Sequence, residues 1–117
     1  MTPGPEANAL YLDQILEIIQ LIRESLAGSK EEDFLANRDK GDATALRLSA
    51  IGELSRKLSE ELRCRHPQIP WPRMYSLRNI VAHHYDKLDH RVIWHVATSA
   101  LDELYTVCRG ELDRLDE

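Results

Sequence analysis

The sequence predicts an all-α fold: an antiparallel bundle of four major helices plus a short one. Three observations point there. Apolar residues recur every three to four positions over long stretches, the helical period. No stretch alternates with the period of two that marks a half-buried strand. Five glycines and one phenylalanine in 117 residues are too few for a turn-rich β domain. Apolar residues make up 43% of the chain, enough for one core, and the length fits one domain.

Each element has its own signal. Residues 1–9, opening Met1-Thr2-Pro3-Gly4-Pro5, read as a flexible leader, and residues 10–117 as a single helical domain. Tyr11, Ile15, Ile18, Ile22 and Leu26 form the stripe of a first helix, with Gly28 as its stop. Ser29-Lys30-Glu31-Glu32 fits a capping box that opens a short helix with Phe34 and Leu35 inward. Lys40-Gly41-Asp42 breaks that helix, and Asp42 caps the next. The next helix spans about Ala43 to Arg63, its stripe being Leu48, Ile51, Leu54, Leu58 and Leu62. Ala45, Gly52 and Ser59 beside the stripe let another helix come close. His66-Pro67 to Pro70-Trp71-Pro72 is an extended loop, because each proline moves its predecessor out of helical geometry. A further helix starts at Pro72 or Arg73 and ends near His84. Asp86-Lys87-Leu88-Asp89 is a turn, and Asp89 caps a last helix over His90 to Leu115. The wide apolar stripes of the first and third helices point to an oligomer interface.

Composition limits the function. No apolar run nears the ~18–20 residues of a membrane span. The opening residues have neither the basic nor the apolar region of a signal peptide. Cys64 and Cys108 form no paired motif and read as reduced thiols, so a cytoplasmic location is expected. The net charge of −5 counts against nucleic-acid binding taken alone. Residues 63–91, however, hold six Lys or Arg against two Asp, a local +4 that leaves −9 elsewhere. All five histidines fall between positions 66 and 95. Cys64, His66, His83, His84, His90 and His95 offer ligand types, but no pair has zinc-finger or His-Glu-x-x-His spacing, so no metal is assigned.

The segment that carries chemistry is Leu77-Arg78-Asn79-Ile80-Val81-Ala82-His83-His84-Tyr85. Asn79 and His83 share a helix face. Arg78 and His83 are five apart, about 140° around the helix, so they do not. Either Arg78 reaches round or the two groups meet across a symmetric dimer. An Arg, an Asn, two His and a Tyr this close can bind phosphate and move protons. Glu53, near the apolar stripe, is expected to pair with Arg78 or Arg47, or to assist the site. Trp71 reads as a loop anchor and Trp94 as core or interface.

Arg78-x-x-x-x-His83-x-Tyr85 resembles the Arg-x(4–6)-His signature of HEPN domains, with the extra Tyr of the HepT-like toxins. Ala50-Ile51-Gly52-Glu53, Leu58-Ser59-Glu60-Glu61-Leu62, His66-Pro67-Gln68-Ile69-Pro70-Trp71 and Val92-Ile93-Trp94 are similar to that family's running pattern. The likeness covers roughly residues 10–112. His84 stands where the family often has Gly, and Leu54 follows Glu53 where a small residue is common. The resemblance implies a metal-independent endoribonuclease without a cofactor, acting on RNA as a homodimer or higher homo-oligomer whose Arg–His motifs line one cleft. It implies a type VII-like toxin–antitoxin pair, in which an MNT-type nucleotidyltransferase antitoxin transfers AMP onto the motif Tyr. Residue by residue, Arg78 and His83 are then catalytic, Asn79 supporting and Tyr85 the modification target. The alternatives are a non-catalytic HEPN binding subunit of a nucleotidyltransferase complex, or a helical adaptor with an incidental motif.

Overall fold

In the computed structural model, which describes residues 4–115, the chain is helical, with no strand among the described residues. Helix α1 (Pro5–Leu26) has Pro at its first turn, where the missing N–H is not needed. It buries Leu12, Ile15, Leu16, Ile19, Ile22 and Leu26, the face that the apolar spacing marks. Residues 5–9, expected in the leader, are helical rather than loose. Asn8 is buried there, donating to Ser59 Oγ and accepting from the Ser59 N–H, both at 3.0 Å. Residues 1–3 of the leader lie outside the described residues.

Gly28, at φ 75°, turns the chain after α1 in a left-handed conformation that suits glycine. Helix α2 (Glu31–Ala36) is opened by the Asp33 carboxylate, which accepts from the Lys30 N–H at 3.2 Å. The cap is therefore one residue later than the Ser29 box. Phe34 is buried, but Leu35 is exposed, correcting the inward placement.

The break expected at Lys40-Gly41-Asp42 does not occur. Asn37 caps α3 (Arg38–Lys57), accepting from the Lys40 N–H at 3.1 Å, so Gly41 and Asp42 are helical. Gly41 is useful there, because a Cβ would lie 2.9 Å from His90 Cδ2. The long helix expected over 43–63 is in fact two. α3 stops at Lys57, and Ser59 caps α4 (Glu60–Cys64) by accepting from the Leu62 N–H at 3.2 Å. The grip of Asn8 on Ser59 holds this kink.

Helix α5 (Trp71–His83) follows the proline loop. A 3₁₀ turn over Tyr85–Lys87 leads to α6 (His90–His95), capped as expected by Asp89, which accepts from the Arg91 N–H at 2.9 Å. α6 runs through a π-helical stretch, Val96–Ala100, into α7 (Leu101–Leu115). α1 packs between α3 and α7, and α3 packs along α5. Asn8 against Ser59 and Arg23 against Asp102 (2.8 Å) show that α1 runs antiparallel to both neighbours. Among the described residues no helix is long and apolar enough to cross a membrane.

Candidate active site

The seam between α3 and α5 positions the motif. At its base, Trp71 is buried and its indole N–H donates to the Arg63 and His66 carbonyls at 3.2 and 3.1 Å, as a loop anchor should. Higher up, Gly52 lets α5 approach closely: a Cβ there would overlap the Met74 carbonyl oxygen and come within 3.6 Å of Arg78 Cβ. The small residue read from the sequence thus sets the distance at which Arg78 meets α3.

That approach puts Arg78 Nε 3.1 Å from Glu53 Oε2, so of the two expected partners Glu53 takes Arg78. Glu53 Oε2 is buried and makes no well-aligned hydrogen bond, so the contact is an ion pair rather than a fork. Arg78 Nη1 also donates to Asn79 Oδ1 at 3.3 Å. Among the described residues nothing accepts from Arg78 Nη2. The guanidinium is held at its inner edge and open at its outer edge, a geometry suited to a phosphate oxygen.

His83 is the last residue of α5, and His84 is its C-cap. Both are exposed, and among the described residues neither side chain has a hydrogen-bond or ion-pair partner. Within one protomer the structure does not bring His83 onto Arg78.

Tyr85 is 48% exposed, yet its hydroxyl donates to Asp42 Oδ2 on α3. His90 Nε2 holds the other oxygen of Asp42 at 2.8 Å, and Arg38 Nε lies 4.0 Å away. The Tyr85 hydrogen bond is the main reason the Asp42 carboxyl is held below its ordinary value, against some desolvation and with help from His90 and Arg38. The same bond keeps the proton on Tyr85 and raises its pKa. Sequence reading missed Asp42 as the shared partner of Tyr85 and His90. Asp42 looked like a helix cap, and no local signal links positions 43 residues apart.

A second cluster neighbours the first in sequence. Buried Glu111 on α7 accepts from Arg65 Nη2 at 2.7 Å and meets His66 Nε2 at 2.6 Å. Burial pushes the Glu111 carboxyl up, but the hydrogen bonds and charges of Arg65 and His66 outweigh it, and the pKa ends low. Burial pushes the Cys108 thiol up to about 12, so it is inert packing, and Cys64 is free and exposed. No three His, Cys, Asp or Glu converge as a metal site would require among the described residues.

Between α3, α5 and the stretch from α6 to α7 lies an open apolar groove of about 410 Å³, lined by Leu48, Ile51, Leu77, Ile80, Val92 and Val96 among others. Ile80 and Val92 are 38% and 52% exposed. The π-helical turn at 96–100 forms part of this wall.

Comparison with known proteins agrees with the family resemblance. The family model described as "Ribonuclease HepT-like" matches residues 15–110. A probable ribonuclease HepT of Thermococcus cleftensis is 32% identical over 105 residues, covering 90% of this chain and 92% of that protein. A Caldanaerobacter subterraneus protein named as a candidate RNase is 30% identical, covering 88% of each chain. A Methanocaldococcus jannaschii protein, named as a gamma-glutamylcyclotransferase and candidate RNase, is 31% identical over 92% of this chain and 49% of its own length. No solved structure is a significant match.

Proposed function

The chain belongs to the HepT-like ribonuclease family, and on that premise we propose that it is an RNA-cleaving toxin whose catalytic residues are Arg78 and His83. The observation that carries the reading is the state of those two side chains. Among the described residues Arg78 is fixed on Glu53 with its Nη2 unengaged, and His83 is exposed without a partner at the end of the same helix. Glu111, by contrast, already meets Arg65 and His66.

The chemistry follows from the residue types. His83 takes the proton of an RNA 2′-hydroxyl, or returns one to the leaving 5′-oxygen. Arg78 stabilises the negative charge that builds on the phosphorane-like transition state, and Asn79 steadies the guanidinium. Each such contribution is worth about 10²–10⁴-fold in rate. The nucleophile belongs to the substrate, so no metal or cofactor is called on. Because Arg78 and His83 lie about 140° apart on α5, a homodimer supplies the complete cleft. The exposed apolar groove of Ile80 and Val92 on α5 and α6 favours a second copy of the chain.

Tyr85 is the regulatory residue in this reading. Its hydroxyl is half-exposed and held by Asp42. An MNT-type nucleotidyltransferase transfers AMP from ATP: the Tyr85 oxygen bonds to the α-phosphorus, pyrophosphate leaves and the phenolic proton is lost. The product places a bulky anion beside the cleft and repels RNA phosphate. Co-expression with such a partner, followed by intact-mass measurement, tests this. The adduct is expected on the wild type and absent from Tyr85→Phe, whereas an adduct that persists in Tyr85→Phe refutes the site. Toxicity on expression alone that disappears in His83→Ala supports the nuclease. A wild type that is harmless and leaves RNA intact, yet binds the transferase, supports a non-catalytic binding subunit.

A further inference from the structure

The lower end of the α3–α5 seam holds two arginines with no acidic partner among the described residues. Arg63 Nη1 donates to the Tyr75 hydroxyl at 2.9 Å, and the Arg56 guanidinium lies 5.9 Å from the centre of the same ring. Among the described residues no carboxylate is within 4.0 Å of either guanidinium. Arg63 Nε is buried with no hydrogen-bond partner among the described residues. Two like charges gathered on one ring repel one another unless an anion joins them. The Tyr75 hydroxyl accepts from Arg63, so its own proton remains available to donate. The backbone beneath is fixed, because the Arg63 carbonyl accepts from the Trp71 indole.

The position of this cluster indicates which anion it takes. Tyr75 precedes Arg78 by three residues on α5, and Arg56 follows Glu53 by three on α3, so both pairs move along the same seam. The Tyr75 level is about 4.5 Å along the helix axis from Arg78. A strand whose scissile phosphate sits at Arg78 therefore brings a neighbouring phosphate within reach of Arg56 and Arg63.

We propose that Arg56, Arg63 and Tyr75 form a phosphate subsite that holds the RNA backbone beside the scissile phosphodiester. The assignment rests on the ribonuclease reading for the identity of the strand, but it concerns binding and not the chemical step. Arg56 and Arg63 are positioning residues: they fix the register of the strand and leave the reacting atoms to Arg78 and His83. Their loss raises KM and leaves kcat near the wild-type value, the mark of uniform binding.

The test uses a fluorescent mixed-sequence 20-nucleotide 2′-O-methyl RNA, which lacks the nucleophile, in anisotropy titrations across a series of salt concentrations. The double variant Arg56→Gln/Arg63→Gln is expected to bind roughly ten- to a hundredfold more weakly, with the log–log salt slope reduced by roughly 1.4. Arg63→Lys keeps the slope, and Arg56→Gln alone, an exposed change, loses about half of the effect. Arg109→Gln, on α7, controls for loss of charge elsewhere. An unchanged salt slope in the double variant overturns the subsite. So does a parallel ATP titration in which the variant loses ATP binding but keeps RNA binding. Failure of the ribonuclease reading looks different: the wild type then leaves unmodified RNA intact, while RNA binding still depends on Arg56 and Arg63.

Discussion

Arg65–His66 and Arg78–His83 are built from the same two side chains, and both lie in the basic stretch from 63 to 91, yet the fold treats them in opposite ways. Glu111 meets both members of the first pair, at 2.7 and 2.6 Å, and is buried beneath them. In the second pair Glu53 touches the inner edge of Arg78, and His83 is left exposed, with no partner among the described residues. The difference teaches that residue type does not mark a site here. What marks it is whether the fold has already satisfied the charge. A pair engaged by one buried carboxylate ties α7 to the loop after α4, and a pair held open is free to meet a ligand.

The largest expected effect separates the pairs by activity. His83→Ala should lower RNA cleavage by about 10²–10⁴-fold with an unchanged melting temperature. His66→Ala should keep cleavage within about twofold and lose about 1 kcal/mol of stability. The opposite pattern would exchange the two roles.

Next comes the Glu111 anchor. Glu111→Gln should cost about 1–3 kcal/mol at neutral pH, because Arg65 loses a buried carboxylate and His66 a hydrogen-bond partner. The folded carboxyl pKa is depressed, so its stabilisation is full above the unfolded value of about 4.3 and fades as pH falls through the lower folded value. Denaturant melts across the acid range should therefore show the Gln variant and the wild type converging below about pH 4. No convergence would mean that Glu111 is not the acid-sensitive anchor.

Gly52→Ala sharpens the comparison from the other side. The added Cβ overlaps the Met74 carbonyl oxygen and should cost about 1–3 kcal/mol. It pushes Arg78 off Glu53 and leaves Arg65–His66–Glu111 in place. RNA cleavage should fall more than the stability loss explains, and the acid limb of stability should keep its shape. Cleavage at the wild-type rate would show that Arg78 needs no fixed distance from α3.

The helices were readable because their signals are local. The apolar period marked Ile15, Ile22 and Leu26 as core, and Gly28 and Asp89 ended and began helices where expected. Gly52 was readable as a point of close approach, and Glu53 as a partner for Arg78. What was not readable depends on long-range partners. The break at Leu58–Ser59 needs Asn8, 51 residues away. Asp42 caps nothing because Asn37 already does, and its partners Tyr85 and His90 arrive from the other side of the chain. The motif spacing singled out Arg78, His83 and Tyr85 as candidates, but spacing carries no information about which charges the fold will neutralise.

The most direct test of the central claim is RNA cleavage by purified wild type and Arg78→Ala, with chemical analysis of the product ends. The account predicts 2′,3′-cyclic phosphate and 5′-hydroxyl ends from the wild type, and a rate lower by about 10²-fold or more in the variant. Equal cleavage by the two proteins, or products ending in 3′-hydroxyls, would contradict it.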